Sequence, residues 1–177
     1  NDLQVAIDII KTKGLNIASG SEVKTASEGV IAVCEVGNTF SMVEINTNTD
    51  FCAKSPDFIR FSNGVAAKIA QLSESNQTFT TDEVELARKE LISKTKENVS
   101  VRRWWVEQPA ASGAKTFAYV HSNNKIGVLL TLLSSADHIN EHNITELGND
   151  LAMQVAAMNP LAVSVDRLNP EDVSRQK

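Results

Sequence analysis

The chain has 177 residues, 42% of them hydrophobic, and a formal net charge of -5. That length suits one domain, or one domain with part of another, built on an ordinary core, and an acidic balance without a basic stripe argues against a nucleic-acid surface. No run approaches the ~18 apolar residues of a membrane span, no secretory leader opens the sequence, and Cys34 and Cys52 make neither a disulfide framework nor a metal-ligand spacing, so a reducing, cytosolic setting is expected.

Asn1-Asp2 followed by Leu3, Val5, Ala6, Ile7 and Ile10 reads as an N-cap and an amphipathic helix. Gly14 to Ser27 is small and polar and reads as a linker. Val30, Ile31, Val33 and Val36, then Gly37-Asn38-Thr39, then Phe40, Met42, Val43 and Ile45 form two β-rich runs around a Gly-Asn turn, which predicts a hairpin. The second run ends in an elbow, Asn46 to Phe51. Ser55-Pro56-Asp57 is a helix start: a capping serine, a proline at the first helical position and an acid against the dipole. Phe58, Phe61, Val65, Ile69 and Leu72 then recur at helical spacing. Thr80 to Glu83 has the spacing of a capping box opening a second helix with Val84, Ala87, Leu91 and Ile92.

Three β-rich runs follow, Val101–Gln108, Thr116–Ser122 and Ile126–Leu133, joined by Pro-Ala-Ala-Ser-Gly and Ser-Asn-Asn-Lys turns. A last helix carries Ile144, Leu147, Leu151, Val155 and Met158 and stops before Pro160. Helices kept apart from consecutive hairpin-joined strands predict an α+β fold, an antiparallel sheet with helices packed on one face.

Three constellations are candidates for function. Asp50-Phe51 sits between a strand and a helix N-terminus. On pattern, either Asp50 caps the turn and Phe51 tucks into the core, or Phe51 is a presented aromatic wedge with a carboxylate beside it on a rigid loop. His138-Ile-Asn-Glu141-His142 has the H-x-x-E-H spacing of a zinc hydrolase, with two imidazoles as ligands and Glu141 as base. Its polar setting ahead of the helix's apolar stripe favours a solvated helix start instead. Arg102-Arg103-Trp104-Trp105 is expected to place one Arg and one Trp on each sheet face, for packing and surface pairing rather than base stacking. No phosphate-binding loop, dinucleotide fingerprint or nucleophile motif occurs, and Cys52 reads as a small space-filling residue.

The stretch VEINTNTDFCAK resembles the signature of elongation factor Ts, the nucleotide exchange factor of elongation factor Tu. Val43, Glu44, Asn46, Thr49, Asp50, Phe51, Ala53 and Lys54 match it, while Thr47, Asn48 and Cys52 depart. NDLQVAIDIIKTKG resembles the last helix of that family's ubiquitin-associated-like module. SEGVIAV, NVSVRR, AYVHS and KIGVLL resemble its core strands, and LAMQVAAMNPLAV and NPEDVS the following helix and turn. The resemblance implies three parts: residues 1–28 as that helix and a linker, 29–136 as a first core subdomain, and 137–177 as the start of a second. It implies that Phe51 is a wedge for the GTPase's nucleotide-binding domain, that Asp50 orients it beside Thr49, and that Ile126 and Gly127 also face the partner. It implies no cofactor, no metal and no covalent step. The family usually has more of the module upstream, a coiled-coil hairpin after Val173, and often His where this chain has Gln154, so an abbreviated or fragmentary member is expected. The alternative is a protein that captures elongation factor Tu without exchange.

Overall fold

The computed structural model describes residues 5, 25–134 and 141–168. The expected N-terminal helix and most of its linker lie outside the described residues. The first hairpin forms where a Gly-Asn turn allows it. Gly37 takes φ +59, the positive angle a two-residue hairpin turn demands, and β1 (Glu28–Val36) pairs antiparallel with β2 (Thr39–Thr47) from Val36↔Thr39 to Glu28↔Thr47.

β2 is the central strand of the sheet β1-β2-β3, with β3 running Val99–Glu107. Alternation gives it two buried faces. Thr39, Ser41, Val43, Ile45 and Thr47 point one way and are all fully buried. Ser41 Oγ donates to the Ala66 carbonyl at 2.7 Å, placing this face under the helices. Met42, on the other face, lies against Gly127.

Beyond a short turn α1 (Asp50–Ala53), helix α2 (Pro56–Glu74) starts as its sequence predicts. Ser55 Oγ accepts from Phe58 N at 3.3 Å, Pro56 opens the helix, and Asp57 lies in the first turn. Phe58, Val65, Ala66, Ile69 and Ala70 are buried against β1 and β2. The capping box expected at Thr80 is not made. Glu83 N bonds the Thr80 carbonyl at 3.1 Å in a tighter 3-10 turn, Thr81–Val84, and the Glu83 carboxylate reaches Lys68 at 3.5 Å. Helix α3 (Glu85–Thr95) follows. Arg88 joins it to β3 through the Val99 carbonyl at 2.8 Å, and hydrogen bonds from the same guanidinium hold the Glu85 carboxyl down to about 2.

The single sheet expected from consecutive strands divides in two. β3 joins the first hairpin, whereas among the described residues β4 (Ala114–Val120) and β5 (Gly127–Leu133) form a separate two-stranded sheet. The intervening segment turns away where Asn38 Nδ2 donates to the buried Pro109's carbonyl at 3.0 Å. The face assignment of the Arg-Arg-Trp-Trp run also changes. The register shifts between Glu44 and Ile45, so Arg102 is an extra residue on β3. Both arginines then converge on Glu44, at 3.2 and 2.5 Å, while Trp104 packs edge-on to Phe79 with centroids 5.0 Å apart.

Helix α4 (Glu141–Met158) packs on β4 and β5 through only part of its predicted stripe, Ile144 and Val155 being half-buried. Leu147 and Met158 are 52% and 68% exposed, while Gly148 and Ala152 are buried. The Phe117 ring is the cause: a Cβ at Gly148 would stand 2.4 Å from it, so the helix docks on its small-residue face.

This contrast gives a sign test. A glycine within a helix ordinarily costs about 1 kcal/mol relative to alanine. Gly64, in α2 with open space around it, is expected to gain about that much stability as Gly64→Ala in urea unfolding. Gly148→Ala is expected to lose stability, because its methyl meets the Phe117 ring. A stabilising Gly148→Ala would contradict the docking described.

Candidate functional site

The elbow begins where β2 leaves the sheet. Thr49, with φ -119 and ψ 153, is the N-cap of α1, and its Oγ1 accepts from Cys52 N at 3.2 Å. Two bonds close the turn, from Ala53 N to the Thr49 carbonyl at 3.1 Å and from Lys54 N to the Asp50 carbonyl at 3.0 Å. Successive residues in a helical turn point about 100° apart. Cys52 and Ala53 therefore face the core, 6% and 2% exposed, and Phe51 faces away, 82% exposed.

This overturns the reading in which Asp50 caps and Phe51 is tucked in. The cap is Thr49. The Asp50 carboxylate instead pairs with Lys54 Nζ at 2.7 Å. That hydrogen bond lowers the Asp50 pKa and raises that of Lys54. Both side chains are well exposed, so the pair adds little to stability.

The turn is tied down from a distance. Glu97 follows Lys96, which ends α3 in the left-handed region at φ 62 with its N–H on the Ile92 carbonyl at 2.8 Å. This reversal brings the Glu97 carboxylate to the elbow. One oxygen accepts from Thr49 N at 2.9 Å and Thr47 Oγ1 at 3.2 Å, and the other from Thr49 Oγ1 at 2.7 Å. Burial pushes the Glu97 carboxyl up, but the hydrogen bonds from Thr49 and Thr47 outweigh it and leave the pKa below its usual value of 4.5. Beside it, burial raises the Cys52 thiol, so Cys52 is the space-filling residue its sequence setting suggested. A second tie runs in parallel, Asn98 N donating to Asn48 Oδ1 at 2.7 Å and Asn48 Nδ2 to the Thr25 carbonyl at 2.6 Å.

Ile126 and Gly127 lie at the head of β5. Their turn is docked on β1 through Ile31 N to the Asn124 carbonyl at 2.7 Å and Lys125 to Glu28 at 2.6 Å. Ile126 is 41% exposed. Gly127 is packed so closely that a Cβ would stand 2.7 Å from Ile31 Cγ2. The Asp50–Lys54 pair at the elbow and the Glu28–Lys125 pair at this turn are separate contacts. Thr49, Asp50 and Phe51 thus share one turn, and Ile126 and Gly127 lie on a separate one, at the head of β5.

His138 and the Glu141 side chain lie outside the described residues, and His142 is exposed. Among the described residues no group of three His, Cys, Asp or Glu could hold a metal ion, and no described helix is long and apolar enough to cross a membrane. Sequence reasoning missed Glu97, Lys96, Glu28 and Lys125. Lys96-Glu97-Asn98 carries no periodicity, and only its place between a helix and a strand hinted at a structural turn.

A family profile described as Elongation factor TS matches residues 48–177. The chain is 38% identical over 180 residues to an elongation factor Ts of Saccharophagus degradans, covering 99% of this chain and 58% of that protein. It is 34% identical over 188 residues to that of Clostridium kluyveri, with 99% and 60% covered, and 34% identical over 180 residues to that of Teredinibacter turnerae. The chain thus spans under two thirds of the length of these relatives.

The lowered pKa of Glu97 has a signed consequence. A carboxyl depressed in the folded state stabilises the protein above its ordinary pKa of 4.5, and this is lost as pH falls through the folded value. Glu97→Gln is therefore expected to be less stable than the parent at about pH 7, with the gap narrowing toward about pH 3. Urea midpoints at the two pH values check this; a gap that does not change with pH would count against it.

Proposed function

The chain belongs to the elongation factor Ts family, and we propose that it acts in translation elongation as a guanine-nucleotide exchange factor for elongation factor Tu. On this reading it binds the GDP-bound and nucleotide-free forms of that partner in the cytoplasm. The observation that carries the reading is Phe51, 82% exposed on a hydrogen-bonded turn whose next two residues, Cys52 and Ala53, are buried. Leaving a phenylalanine outside a core forgoes about 1.5–3 kcal/mol of burial. A partner's apolar pocket recovers it.

The mechanism is differential binding and involves no covalent step, base or cofactor. Phe51 enters the nucleotide-binding domain near its magnesium and phosphate contacts, and Asp50, held by Lys54, fixes the polar side of the wedge. Ile126 and Gly127 add a second contact to the same partner. Displaced contacts weaken GDP, and by linkage GDP weakens the factor by the same ratio. The turn is preformed, so little ordering entropy is lost on insertion. This chain contributes orientation and an apolar side chain; the nucleotide is held and released by the partner's own groups.

Release of a fluorescent GDP analogue from elongation factor Tu, followed by stopped flow, tests the proposal. The parent chain is expected to accelerate release. Phe51→Ala is expected to reduce that acceleration at least ~10-fold, about 1.4 kcal/mol of barrier, and Asp50→Ala by less. A complex on a sizing column with no acceleration would indicate capture without exchange. Neither complex nor acceleration would overturn the proposal.

A further inference from the structure

Phe51 makes its own position hard to explain from its side chain, which is 82% exposed. Its direction therefore comes from the backbone of α1. That element has four residues, and a single helical turn does not hold itself together, because nucleation costs more order than one turn's hydrogen bonds return. Something outside the turn must fix it.

We infer that Glu97 is the positioning residue of the elbow: its carboxylate locks Thr49 and so sets the direction in which Phe51 is presented. This rests on the exchange reading above and adds to it a residue 48 positions away in sequence. The geometry is a relay. Glu97 Oε1 takes the Thr49 hydroxyl proton at 2.7 Å, which leaves the Thr49 oxygen free to accept from Cys52 N at 3.2 Å as the N-cap. Glu97 Oε2 takes Thr49 N–H at 2.9 Å and joins it to Thr47 on β2 at 3.2 Å. The residues flanking the Asp50-Phe51 pair, Thr49 and Cys52, thus both answer to one carboxylate. Glu97 is itself fixed by the left-handed Lys96 and by its N–H on Thr95 Oγ1 at 3.3 Å, with that hydroxyl donating to the Leu91 carbonyl at 2.9 Å. Position thus passes from the core helix α3, through Glu97, to the tip. On this reading Glu97 acts on Phe51 through Thr49.

Cys52 supplies a readout independent of exchange. Its thiol is 6% exposed and sits beneath the turn, next to Thr47 and Glu97, so loosening of the elbow uncovers it. In a Cys34→Ser background, the rate at which Ellman's reagent modifies the folded protein reports on the turn alone. Glu97→Ala is expected to raise that rate at least about 10-fold with far-UV dichroism unchanged, and to lower the maximal GDP release rate at saturating factor by about 10-fold. Glu97→Gln keeps an acceptor for Thr49 N–H and an amide that donates to its hydroxyl, and is expected to restore most of both. If Glu97→Ala does not fold, Thr49→Val, which removes the relay hydroxyl at constant shape, carries the same expectations.

Unchanged Cys52 modification in the alanine variant overturns the lock. Faster modification with parental release, where Phe51→Ala is impaired, overturns the positioning role. If Phe51→Ala releases GDP like the parent, the exchange reading itself fails and the positioning role with it, while the modification rates still decide whether Glu97 holds the turn.

Discussion

Everything at the site depends on β2 being a central strand buried on both faces. Hydrogen-bonded to β1 on one side and β3 on the other, it has no freedom to slip, because a one-residue shift would exchange Val43 and Ile45 for Glu44 and Asn46 under the helices. Its polar members reinforce the register. Thr39 reaches Glu74, Ser41 the Ala66 carbonyl, and Thr47 Glu97, each a buried hydroxyl with an acceptor on another element. The point where the chain leaves the sheet is therefore fixed, and the elbow inherits that position.

Two further elements approach the same end of β2 from different directions. The end of α3 brings Glu97, and the β4–β5 turn brings Lys125 to Glu28. The first tie is partly buried and hydrogen-bonded on both carboxylate oxygens, which makes it specific in geometry. The second is a surface ion pair between side chains about two-fifths exposed, screened by salt and worth little in energy. They serve different ends. Glu97 determines where Phe51 points, while the Glu28–Lys125 pair only helps to seat the β4–β5 turn on β1.

Much of this was legible in the sequence wherever the information is local. The Gly37-Asn38 turn, the Ser55-Pro56-Asp57 helix start and the antiparallel pairing of the first two strands follow from residues within a few positions of one another. The elbow itself stood out as a signature, though pattern alone left Phe51 free to point inward or outward. The outward direction follows from Thr49 rather than Asp50 capping the turn, and that choice depends on Glu97. Nothing in the order Thr49…Glu97 announces such a contact. The same limit explains the last helix. Periodicity identified Ile144, Leu147, Leu151, Val155 and Met158 as an apolar stripe; Ile144 and Val155 are half-buried, but Leu147, Leu151 and Met158 are exposed because the helix is turned to fit Gly148 against Phe117. The bulge at Arg102 is a third case, since one extra residue moves an arginine across the sheet without any mark in composition.

The rigidity of the elbow is consistent with an exposed aromatic side chain of low conformational cost. A flexible loop carrying Phe51 would let the ring fold back onto the apolar residues beside it, Cys52 and Ala53, and would have to be ordered again on binding. The lock at Thr49 removes that option by turning Cys52 and Ala53 inward, away from the ring. The burial free energy of an exposed phenylalanine is then not recovered within its own turn. A carboxylate holds the turn better than an apolar contact would, because hydrogen bonds to both its oxygens constrain direction as well as distance. Placing it after a left-handed residue at a helix end, rather than within the helix, allows it to reach back across the sheet terminus without bending α3.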